Sequence, residues 1–200
     1  MKGIKYDKTP EDLPVLFEKE GETYKICWGV EKDSYNKVVF QGELNAVGLS
    51  NVIDNTEYTL GELHEIIIAS QISEEEAIKF LKIMITRLII EYDSSSEVNV
   101  FFISGLPVWL DKETRVGLAL RFASEKGMGM TETALWLNGM QFPFQLTLAE
   151  QLLGAIEVYA SRSYDNTQRH LAEVQKLTTI NDLVNYDYKS NYPEKLRFDM

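Results

Sequence analysis

Two hundred residues at 22.9 kDa, 44% hydrophobic and 26% charged, suffice for one large domain or two small ones and exclude wholesale disorder. Thirty-one acidic against twenty basic residues leave a net charge of −11, which repels phosphate backbones and anionic lipid heads and argues against a nucleic-acid or membrane partner. The one cysteine, Cys27, forms no internal disulfide and no cysteine-rich zinc site.

Met1 to Asp7 lacks the apolar run of a signal peptide. The longest charge-free stretch, Thr133 to Ala149, is too short and too polar for a spanning helix. The expected location is the cytosol of a host cell.

Along the chain, 24–30 and 37–40 are rich in aromatic and branched residues and predict two strands of a hairpin, with Asp33-Ser34-Tyr35-Asn36 as the turn. Residues 62–70, apolar at Ile66, Ile67 and Ile68, fit a helix or a strand. Ser73 followed by Glu74, Glu75 and Glu76 opens a helix, because the serine caps it and the carboxylates suit its positive end. Ala77, Leu81, Met84, Ile85 and Leu88 recur at helical spacing, widened by Ile78 and Ile89, and the helix is expected to end near Glu91.

The polar run 93–97 marks a candidate boundary between an acidic α+β module over 1–93 and a C-terminal α+β domain over 97–200. Ten basic face eighteen acidic residues in 1–96, against ten and thirteen in 97–200, so the two parts differ in surface charge. The second part predicts a buried strand over 98–103, broken at Gly105 and Pro107, and a short strand over 108–110. Asp111 caps a helix whose apolar stripe is Val116, Ala119, Leu120 and Ala123, with Gly127 as its stop.

Asn138-Gly139 between 133–137 and 141–146 is a hairpin signal, and Pro143 places its strand at an edge. Thr147-Leu148-Ala149-Glu150 reads as a capping box for a helix to about Lys176, with a bend or break at Asp165-Asn166. Its inward face is Leu152, Ile156, Tyr159, Ser163, Thr167, His170, Val174 and Leu177. Thr179 caps a short helix, and an extended aromatic tail follows. The fold class is α+β throughout.

The chemical inventory is thin. No metal-ligand spacing occurs among His64, His170 and Cys27, and no cofactor or catalytic constellation is expected. His170, with Asp165 and nearby tyrosines, is one candidate for acid–base or ligand work; a satisfied core histidine is the plainer reading. His64 stands alone. Cys27 shares a strand face with Lys25 but otherwise looks like a small buried hydrophobe. Gly127-Met128-Gly129-Met130 follows a helix instead of a strand, the reverse of a dinucleotide loop, and reads as a connector. The run Glu74–Glu76 is explained by its helix start. Tyr159, Tyr164, Tyr186, Tyr188 and Tyr192 crowd the last quarter and suit either a protein interface or a sealed tail.

The order Val108-Trp109-Leu110-Asp111-Lys112 with Arg115, Thr133-Ala134-Leu135-Trp136, and Ala155-Ile156-Glu157-Val158-Tyr159-Ala160 resembles a known family. So do Tyr164-Asp165-Asn166-Thr167, His170, Leu177-Thr178-Thr179, Tyr186-Asp187-Tyr188 and Tyr192-Pro193-Glu194-Lys195-Leu196. The resemblance, over about 98–198, is to a phage and prophage domain of unknown function, often encoded near tail or tail-fibre genes in Bacteroides-type bacteria. It implies a virion-associated structural protein whose partners are other phage tail proteins, with a homo-oligomer fitting the same context. Relatives that carry a cysteine at the position of Ser163 imply that this serine is no required nucleophile. Three functions follow as expectations: a non-enzymatic tail or baseplate component, a tail-fibre assembly chaperone, and a small-molecule binder or enzyme built on His170.

Overall fold

The computed structural model describes residues 4–7, 15–31, 34–53, 58–137 and 139–199 and has an α+β architecture. By its contacts the chain divides into two units, one of residues 1–91 and 169–189, the other of 92–168 and 190–200. Residues 169–189 therefore return to the first unit instead of staying in a contiguous C-terminal domain.

The first unit is built on an antiparallel sheet of β1 (Ile4–Asp7), β2 (Phe17–Glu20), β3 (Thr23–Trp28) and β4 (Ser34–Gln41), in the order β1-β4-β3-β2. A two-residue turn joins β2 to β3, and Gly21 takes its φ of +61° without the steric cost a side chain would bring. β3 and β4 pair as the sequence predicts, with Cys27 opposite Lys37. The expected turn is displaced. Ser34, Tyr35 and Asn36 are already strand, because they pair with Asp7, Tyr6 and Lys5 of β1, while Asp33 lies outside the described residues. Tyr24, Ile26, Trp28 and Phe40 are buried.

Three helices follow: α1 (Ala46–Val52), α2 (Leu60–Ser70) and α3 (Glu74–Ser94). The ambiguous segment 62–70 is helical for a local reason. Thr59 and Glu62 form a capping box, the threonine oxygen accepting the Glu62 N–H at 3.2 Å and the carboxylate accepting the Thr59 N–H at 2.8 Å. The Ser73 hydroxyl accepts the Glu76 N–H at 3.3 Å, which is the expected cap of α3. Ala77, Leu81, Met84, Ile85, Leu88 and Ile89 are buried on α3, joined by Phe80. Val174 and Leu183 complete this core.

In the second unit β5 (Phe101–Ile103) lies between β6 (Leu106–Val108), antiparallel, and β9 (Arg197–Phe198), parallel. The β5–β6 turn needs positive φ at Ser104 (+47°) and Gly105 (+81°), the signature of a tight hairpin. Pro107 is part of β6 instead of a break, since an edge strand tolerates a missing N–H. α4 (Lys112–Gly127) precedes the hairpin of β7 (Glu132–Leu137) and β8 (Met140–Gln145), which turns at Gly139; Asn138 lies outside the described residues.

The long α5 (Leu146–Lys176) is continuous through 165–166, so the expected break is absent. Asn166 does not compete for its own helix backbone; its amide donates to the Ser190 carbonyl at 2.9 Å. The capping box expected at Thr147 is not formed either. Thr147 lies inside the helix, and the Glu150 carboxylate takes the Lys126 ammonium at 2.8 Å. α6 (Ile180–Val184) is capped by Thr179, which accepts the Asp182 N–H. Among the described residues no helix is long and apolar enough to cross a membrane.

Candidate interaction surface

α4 is fixed at its start by Asp111, whose side chain accepts the Thr114 N–H at 2.7 Å. That bond, with help from the Thr114 hydroxyl and the nearby Arg115, holds the Asp111 carboxyl below its ordinary range. The helix turns a polar face inward. Arg115 is only 7% exposed; its Nε donates to Glu157 at 2.6 Å, its Nη1 to the Leu110 carbonyl at 2.7 Å, and its guanidinium lies 5.6 Å from the Trp109 ring centre. Phe122 is buried about two turns further on. Glu125, also buried, accepts from Arg121 Nε at 2.7 Å, and the Thr133 hydroxyl and Arg121 hold its carboxyl low.

The consequence falls on the opposite face. Val116 and Leu120, expected in the core, are 53% and 68% exposed, and Ala119 and Ala123 are exposed beside them. This corrects the assignment of the apolar stripe: the buried face is Arg115, Leu118, Phe122 and Glu125. Paired charges occupy positions that apolar side chains would otherwise take. Between α4 and α5 runs a groove of about 440 Å³, walled by Val116, Ala119, Ala123, Leu153 and Gly154, with Arg115, Glu150 and Glu157 as its charged groups. On the hairpin, Trp136 is 68% exposed, and Met128, Met130 and Met140 are exposed in the same unit. These large apolar and aromatic side chains are left in water.

The other candidates resolve separately. His170 is 3% exposed; its Nδ1 lies 2.6 Å from the Tyr186 hydroxyl, which donates to Glu173 at 3.0 Å. Because that phenol proton goes to Glu173, the histidine contributes the N–H of the first bond. Glu173, not Asp165, thus completes the chain, and Asp165 is exposed. His170 lines none of four cavities of 410, 710, 440 and 460 Å³. Cys27 is fully buried and its thiol is pushed above its ordinary range by desolvation, which Lys25 and Lys37 only partly oppose; Lys25 itself is bound to Glu18 at 2.7 Å. His64 is half-buried on α2. Met128 caps α4 through its N–H, and Gly129 carries a φ of +77°, consistent with a connector.

Four of the five C-terminal tyrosines are engaged within their own units. Tyr159 donates to the Val98 carbonyl, Tyr186 serves His170, Tyr188 packs on the first core, and Tyr192 meets Thr167 and the Tyr92 ring. Tyr164 is exposed. Among the described residues no group of three or more His, Cys, Asp or Glu side chains is placed to hold a metal ion. Searches of family models, curated proteins and solved structures return no match to this chain.

Proposed function

We propose that this chain works by protein–protein contact, as a phage- or prophage-derived component associated with the tail or baseplate and incorporated into the particle. The observation that carries the contact reading is the outward stripe Val116, Ala119, Leu120 and Ala123 beside an apolar groove. A helix displays such a stripe to water at a solubility cost unless something covers it. The phage context rests on the C-terminal resemblance, and the other tail proteins are the partners it implies.

The test is to purify particles made with wild-type chain or with Leu120→Glu, and to read their composition by mass spectrometry and cross-linking. The expected result is the wild-type chain in finished particles, cross-linked through α4, and loss of that incorporation in the variant. A chain that binds tail-fibre protein during assembly but is missing from finished particles would make it a chaperone instead. A chain that reaches neither would overturn the reading.

A further inference from the structure

We infer that the groove along α3 in the first unit is a binding site for a small molecule carrying at least two phosphate-type anionic groups. The groove has a volume of about 710 Å³ and is lined by α3 together with the start of α1 and Gln175 of α5. Its charged residues are Glu76, Lys79, Lys82 and Arg87. Three cations against one carboxylate is the reverse of the balance of the whole chain, which is −11.

What sets these cations apart is how they are held. Lys79 is neutralised by Glu75 and Glu76, at 2.8 and 3.0 Å. Lys82 and Arg87 are not: Lys82 Nζ donates to the Gln175 carbonyl at 2.8 Å, and Arg87 Nη1 to the Ser50 carbonyl at 2.6 Å. Neither has a carboxylate within salt-bridge distance among the described residues. A neutral carbonyl fixes a cation's position and leaves its charge in place. It also uses one proton, leaving two on the ammonium and those of Nε and Nη2 on the guanidinium to meet an anion.

The two residues stand five positions apart on α3, about 7.5 Å along the axis. One is held from the α5 side and the other from the α1 side, with Ile83 and Thr86 between them on the lining. Both side chains are half-buried, so their ordering is already in place before a ligand arrives. A single small anion satisfies one of them. A ligand with two separated anionic groups satisfies both, and Arg87 offers the forked donor set that suits phosphate oxygens. Glu76 closes the Lys79 end, because its carboxylate takes the Ala46 N–H at 2.7 Å, so the ligand's charge belongs at the Lys82–Arg87 end.

The experiment is calorimetric titration of the full chain with pyrophosphate and with tripolyphosphate at low and high salt, alongside Lys82→Met, Arg87→Met and, as a control away from the groove, Lys25→Met. The expected result is saturable one-to-one binding that weakens with salt, falls at least about tenfold in both groove variants and is unchanged in Lys25→Met. Circular dichroism and thermal melts confirm that the variants fold. No saturable binding by folded wild-type chain overturns the inference, as does binding that Lys82→Met and Arg87→Met leave intact. Binding of single-stranded oligonucleotide in preference to both polyphosphates overturns the small-molecule assignment.

Discussion

The hydroxyl of Tyr159 donates to the carbonyl of Val98 at 2.7 Å, tying the middle of α5 to the segment that leads into β5, 61 positions earlier. Both residues are buried, so the carbonyl has no water to turn to. Tyr159→Phe keeps the ring and leaves that carbonyl with only the Val100 N–H, at 3.0 Å, for an expected cost of about 0.5–1.5 kcal/mol in a denaturant melt. Tyr159→Ala removes the ring as well and costs about 3–5 kcal/mol. Equal melts for wild type and Tyr159→Phe would contradict the role of this bond.

The two faces of α4 predict opposite outcomes for apolar residues on one helix. Phe122→Ala empties a core site and lowers stability by about 3–5 kcal/mol. Leu120→Ser, on the outer face, stays within about 0.5 kcal/mol of wild type while weakening whatever covers the stripe. A large loss of stability for Leu120→Ser, measured by chemical denaturation, would place that side chain in the core after all.

Arg115 and Glu157 are bonded to each other but are unequal partners. Arg115 is buried, also serves the Leu110 carbonyl and lies over Trp109, whereas the Glu157 side chain is 53% exposed. Arg115→Ala removes the charge together with its bonds and packing, whereas Glu157→Ala leaves a buried guanidinium without its carboxylate, so both are expected to cost more than the about 0–1 kcal/mol of an exposed pair. Thermal melts of the two single variants measure both costs.

Acid sensitivity follows from Asp111 and Glu125, whose carboxyls are both held below their ordinary range in the folded chain. A depressed carboxyl stabilises the fold above the pKa it has when unfolded, and that contribution is lost as the pH falls through its folded value. Stability should drop on acidification below about pH 5. Asp111→Asn keeps a good helix cap but removes the titration, so its melting temperature should fall less steeply with acid than that of wild type. Parallel slopes would show that Asp111 contributes no pH dependence.

How far the sequence could be read depended on where each signal was written. The inward face of α5 was legible from Leu152 to Val174 because its residues repeat at steps of three and four, polar members included. α4 was misread by the same rule. Its buried face holds Arg115 and Glu125, each with a charged partner supplied by folding, so the apolar stripe left over pointed outward. The beginning of β4 was hidden because its partner, β1, is distant in the chain. By contrast, the α2 cap at Thr59 and Glu62 is written locally, three residues apart. The outward stripe of α4 has no signature of its own, since an exposed stripe and a core stripe are spelled alike.

The seclusion of Cys27 in β3 gives the molecule a built-in clock. With one thiol in the chain and that thiol wholly shielded, a colorimetric sulfhydryl reagent reacts only when the strand comes loose. The speed of that labelling reads out the opening of the first unit across the population, with no engineered handle.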